Sequence, residues 1–175
     1  RVYLFPRIYA IWRNDDWSEY FRGKSVAIVG PAPLVGKNQE SAIEQFDVVV
    51  RIGHEHWSAD EKIGRTDVWV LDGGATSDFL AGRLRPLPSE WLLLKGGCSL
   101  REQLKFGPEF RRVRFARRRS FLSIKVPLSW NPNQVPVVAM ELSFLNPGEV
   151  AVFGSDFYTT PNSSYRAESS YAVAA

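Results

Sequence analysis

Short apolar runs, each stopped by glycine, recur along this chain. Val26-Ala27-Ile28-Val29 meets Gly30, the run 47–52 meets Gly53, and the stretch ending at Leu71 meets Asp72-Gly73-Gly74. Trp91-Leu92-Leu93-Leu94-Lys95 is closed by Gly96-Gly97, and residues 149–153 run into Gly154. Runs this short and this continuously apolar are the pattern of strands buried on both faces. Between them lie segments with helical spacing: residues 37–45, 77–84 and 137–145, the last ended by Asn146-Pro147-Gly148. Near the start, Asn14-Asp15-Asp16 precedes Trp17, Tyr20 and Phe21, the pattern of a capped short helix with one aromatic face. That face suits packing against a sheet, or a partner or membrane surface; packing is the expectation. The alternation predicts an α/β domain with a mostly parallel sheet of five strands, flanked by helices.

Residues 24–53 are the organising stretch: strand, Pro/Gly-rich loop, polar helix, strand, which is a βαβ unit with a right-handed crossover. The loop after each parallel strand lies at the carboxyl edge of the sheet, where phosphates and nucleotides bind beside helix N-termini. Gly30, Arg51, Asp72 and Gly154 are therefore expected to gather at one edge. The loop Gly30-Pro31-Ala32-Pro33-Leu34-Val35-Gly36 matches neither GxGxxG nor GxxxxGK[ST], so it reads either as a ligand site or as a tight strand-to-helix turn.

Chemistry-bearing residues are few. His54 and His56, at i and i+2, point to opposite faces of a strand, and no further His completes a metal set, so no metal is expected. His54, just past a strand end, is a candidate base or phosphate contact. Asp156, on the exit loop of the last strand, is a candidate acid/base group or a turn cap. Arg111, Arg112, Arg114, Arg117, Arg118 and Arg119 form a basic run interrupted by Val113 and Phe115. It reads as a solvated face, or as a contact for a phosphate- or carboxylate-bearing acceptor. A net charge of only +3 makes the basic bias local, and nucleic acid is not the expected partner.

Composition narrows the class without deciding it. The 175 residues suit a single domain, with 45% apolar and 23% charged side chains. Such a domain buries roughly 70% of its unfolded surface. Six Trp and eleven Phe imply a heavily aromatic core or aromatic binding surfaces. The single cysteine, Cys98, excludes an internal disulfide and favours a reducing, cytoplasmic setting, compatible with peripheral membrane association. No apolar run approaches the ~20 residues needed to span a bilayer. Residues 1–13 lack the apolar core and cleavage site of a signal peptide, and residues 163–175 read as a frayed end of a chain that stops short.

Two stretches carry a resemblance. Val26-Ala27-Ile28-Val29-Gly30, continuing to Asp47-Val48-Val49-Val50-Arg51-Ile52-Gly53, resembles the long sialyl motif of the sialyltransferase family of glycosyltransferases. Glu149-Val150-Ala151-Val152-Phe153-Gly154-Ser155-Asp156-Phe157-Tyr158, with the helix before it, resembles the end of the short sialyl motif. Gly64-Arg65-Thr66-Asp67-Val68 is similar to bacterial and viral members. The resemblance implies a Rossmann-like sheet and a CMP-activated sugar acid, sialic acid or Kdo, as donor, with no cofactor or metal. It implies a glycan or glycolipid acceptor, and nucleotide contacts at Gly30, Pro31, Ala32, Arg51 and Gly53, with Asp72, Gly73 and Gly154 as neighbours. The chain differs from the family in carrying Pro31 and Gly53 where asparagines are usual, Gln134-Val135-Pro136 where a Ser/Thr-Gly turn is usual, and no His after residue 56. The alternative expectation is a nucleotide- or glycan-binding module without catalysis. For a catalyst, Asp156 is the first choice of base and His54 the second.

Overall fold

The computed structural model describes residues 14–31, 38–53, 64–84, 87–95, 112–115 and 134–155. Within them β1 (Ser25–Val29), β2 (Val48–Ile52), β3 (Val68–Leu71), β4 (Trp91–Leu94), β5 (Arg112–Phe115) and β6 (Glu149–Phe153) form one six-stranded sheet, in the order β5-β4-β3-β2-β1-β6. Every neighbouring pair is parallel. The helices are α1 (Asn14–Phe21), α2 (Gln39–Ile43), α3 (Gly73–Leu80) and α4 (Gln134–Ser143). This is the α/β, Rossmann-like architecture expected from the alternating pattern. No helix among the described residues is long and apolar enough to cross a membrane.

Strand side chains alternate between two helical layers because successive residues point to opposite faces. On one face Val26, Ile28, Val50, Val70 and Leu93 pack with Trp17 and Phe21 of α1 and with Val135, Val138 and Leu142 of α4. On the other, Trp69, Leu71, Leu92 and Leu94 meet Ala75 and Phe79 of α3, while Ala27, Val29 and Val49 meet Ile43 of α2. The chain lays β1 to β5 successively in one direction and then returns to the far side of β1. With right-handed crossovers, that reversal sends α4 to the face opposite α2 and α3.

The aromatic stripe of α1 is core. Trp17 and Phe21 are wholly buried, and Trp17 contacts Phe21 and Trp91 edge-on at 4.7 and 4.8 Å between ring centroids. The Trp17 indole Nε1 also donates to the buried Glu141 carboxylate at 3.3 Å, coupling α1 to α4.

Three boundaries differ from expectation. Residues 112–115 form a strand that raises the count to six; the run had been read by its charge. Arg114 is only 9% exposed, while Arg112 pairs with Glu90 at 3.0 Å and lies 5.0 Å over the Trp91 ring. Arg114 is therefore not part of a solvated face, while the Arg112 side chain remains 39% exposed. The helix expected over 77–84 begins at Gly73 and ends at Leu80, because the Asp72 side chain caps it by accepting from Ala75 N. The helix expected over 137–145 starts at Gln134, with Pro136 tolerated in its first turn. Asn146, at φ 52°, closes it in the left-handed conformation.

Two measurements test this packing. Trp17→Ala removes a fully buried indole and the donor to Glu141, so urea denaturation should show a loss of about 3–5 kcal/mol. At the amino edge, Asp47 accepts from Ser25 N at 2.9 Å and Ser25 Oγ at 2.8 Å, and these bonds hold its pKa below the ordinary 3.8. A depressed carboxylate contributes stability that is full above 3.8 and disappears as pH falls through the lowered value. Asp47→Asn should accordingly shrink the difference between urea midpoints at pH 6 and at strongly acid pH.

Candidate functional site

The strand order reverses at β1, whose neighbours are β2 on one side and the returning β6 on the other. Open parallel sheets in general bind ligands at such a switch point, in the crevice outside the carboxyl ends of the strands. Gly30 N donates to Phe153 O at 2.8 Å, which sets the two exits side by side. A Cβ on Gly30 would lie 2.5 Å from Gly154 O and 3.4 Å from a methyl of Val135, so only glycine fits between β6 and the first turn of α4.

The neighbouring exit, at β2, is built as tightly. Gly53 adopts φ +86°, donates to Val70 O at 3.2 Å, and its carbonyl accepts from Trp69 Nε1 at 3.0 Å. A side chain there would begin 3.7 Å from Pro31 Cβ. Gly154 is also left-handed, at φ +56°. Gly30, Pro31, Gly53 and Gly154 thus line adjacent exits at one edge, joined at the end of β3 by Asp72 and Gly73. The backbone N–H groups of Gly30 and Gly53 are both spent inside the protein. What these glycines offer a ligand is close approach.

The charged residues of this edge differ in their surroundings. Arg51, 4% exposed, points under α2, where Nε donates to Arg65 O at 3.1 Å and the guanidinium pairs with Glu40. Its charge is used to hold α2 against the sheet. Asp72 is also engaged: Oδ1 accepts from Ala75 N at 2.8 Å, and Oδ2 accepts from Gln134 Nε2 at 3.0 Å.

Lys95, directly after β4, is half-buried, with its N–H on Leu71 O at 2.9 Å. Burial lowers its pKa below the ordinary 10.5, only partly opposed by the charge of Asp72. His54, Ala32 and Asp156 lie outside the described residues, as does Cys98. Among the described residues no group of three or more His, Cys, Asp or Glu side chains could hold a metal ion.

The roles of two side chains of this edge were not expected from the sequence. Lys95 had a signal, since it ends an apolar run just before a glycine pair, as the other edge loops do. Gln134 had none, because its partner Asp72 is 62 residues away. No family model matches the chain, and no curated protein matches it.

The steric argument is open to direct test by paired substitutions. Gly30→Ala should lower stability by about 1–3 kcal/mol through overpacking against Gly154. Gly73, whose added Cβ meets nothing within 4 Å, should accept alanine with a change below about 1 kcal/mol. Thermal or urea denaturation of both variants separates a close backbone approach from a general intolerance of the edge.

Proposed function

We propose that this protein binds a CMP-activated sugar acid in the switch-point crevice and transfers the sugar to a glycan hydroxyl. The observation that carries the reading is a juxtaposition. The two stretches that resemble the long and short sialyl motifs form β2, β1 and β6, which are adjacent strands, together with α4 against them. Segments separated in the chain by residues 54–133 thereby frame one crevice.

The chemistry is a displacement at the anomeric carbon. The acceptor oxygen bonds to that carbon as its bond to the phosphate oxygen breaks, CMP leaves with the electron pair, and the acceptor proton passes to a base. Asp156, next in the chain after Ser155, is the first choice of base and His54, next after Gly53, the second. Charge on the departing phosphate needs donors and cations already in place. Lys95 and the first turns of α3 and α4 supply these in the proposal, and no metal or other cofactor is invoked. Arg51 acts in the same proposal through the loop it steadies. The acceptor is a glycan or glycolipid, and the setting is cytoplasmic with peripheral contact to a membrane.

A second reading is a nucleotide- or glycan-binding module that performs no chemistry. It is favoured by Pro31 and Gly53, which bring no polar side chain to the crevice, and by the lack of any His after residue 56.

Calorimetric titration with CMP, UMP and a short oligonucleotide separates the classes. Selective binding of CMP is the expected result, and indifference among the three would overturn the proposal. Turnover of a CMP-sugar then divides enzyme from module, and Asp156→Asn should abolish transfer while leaving CMP binding intact. Lys95→Met should weaken CMP about tenfold, the scale of one charge-assisted hydrogen bond.

A further inference from the structure

Asp72 stands where the two helical layers meet at the carboxyl edge. It follows β3, caps α3 through Oδ1 and Ala75 N at 2.8 Å, and receives the Gln134 amide of α4 on Oδ2 at 3.0 Å. The two helices it joins pack on opposite faces of the sheet. Strand alternation accounts for the reach: Leu71 faces the α3 layer, so the next residue turns toward the α4 layer.

The first turn of α4 is packed through buried Val135 and Val137. Pro136 has no N–H, and no acidic side chain lies in that turn to meet the helix dipole. Yet this turn forms a wall of the crevice, since Val135 lies 3.4 Å from the position a Gly30 Cβ would take.

We propose that Asp72 and Gln134 are a brace that fixes the first turn of α4 over the crevice, with Asp72 a positioning residue and not a ligand contact. Both carboxylate oxygens already accept from internal donors, so turning one toward a ribose hydroxyl would release either the α3 cap or α4. The functional part of this inference rests on the crevice being the nucleotide site. The mechanical part does not.

The test uses four variants: Gln134→Ala, Asp72→Ala, the double variant and Asp72→Asn. Without ligand, amide hydrogen exchange at Val138 and Ala139, whose N–H groups bond back to carbonyls of the first turn of α4, should quicken about tenfold in Gln134→Ala, the scale of one lost hydrogen bond to a charged group, with exchange near Leu142 unchanged. CMP binding by the same variant should weaken by a similar factor. Adding Asp72→Ala should weaken CMP by less than the sum of the two single losses, because the two residues act as one unit in holding α4 and only the α3 cap is lost in addition. Asp72→Asn should keep near wild-type CMP affinity, since asparagine also caps a helix and the Gln134 amide can turn to present its oxygen.

Unchanged exchange in Gln134→Ala would overturn the brace. Loss of CMP binding in Asp72→Asn equal to that in Asp72→Ala would show a carboxylate touching the ligand, and would overturn the positioning role. A wild-type protein that binds no CMP fails the functional reading, and the exchange result then decides the brace alone.

Discussion

The close approach of β1 and β6 is the constraint on which the rest of this architecture depends. Two glycine contacts clasp that pair, one at each end. At the carboxyl end a side chain on Gly30 would meet Gly154 O at 2.5 Å; at the amino end one on Gly148 would meet Gly23 O at 2.6 Å. Between them the strands run in register from Ser25 opposite Glu149 to Val29 opposite Phe153. Because β6 is the returning strand, this clasp creates the reversal of strand order and hence the crevice. Moving β6 away would leave a one-directional sheet with no switch point.

A second theme is how the sheet accommodates charge. Arg51 is buried on a strand face, yet its guanidinium meets Glu40, and Gly64 leaves room for it by having no side chain. Asp67 serves the amino edge in the same way, with Oδ2 accepting from Val49 N at 2.7 Å and Arg65 Nε at 3.0 Å. Arg65 also takes the Glu44 carboxylate on its backbone N–H at 2.9 Å. Five-residue α2, whose Asn38 makes no side-chain capping bond, is held by these contacts and by buried Ile43. So short a helix needs such tertiary support. Lys95 differs, since burial outweighs the attraction of Asp72.

These two features bear on how the site works. Glycines at the strand exits bring backbone close to whatever enters the crevice, while their own N–H groups, at Gly30 and Gly53, remain bonded within the sheet. In the proposed site, polar recognition falls to Lys95 after β4 and to the first turns of α3 and α4. Both turns are tied to one carboxylate. The crevice is thus assembled from most of the sheet, and its shape depends on contacts among layers that are remote in sequence.

What the sequence determined by itself was the class of fold and which residues stand at the carboxyl edge of the sheet. Strands buried on both faces must be continuous apolar runs, and parallel strands need crossovers, so the alternation of Val26–Val29-like runs with helical segments carries the architecture locally. Glycine after each run marks the exits. The aromatic face of Trp17, Tyr20 and Phe21 was legible for the same reason, since its spacing alone requires a buried partner. Tertiary structure decided whatever depended on a distant partner. The strand at residues 112–115 was hidden by its arginines, of which Arg112 meets Glu90 and the face of Trp91. The start of α3 depended on how the Asp72 side chain turned, and Gln134 acquired its role only by folding back across 62 residues. Periodicity reports which face of an element is buried. Which donor meets which acceptor is a matter of three-dimensional distance, and pattern along the chain does not encode it.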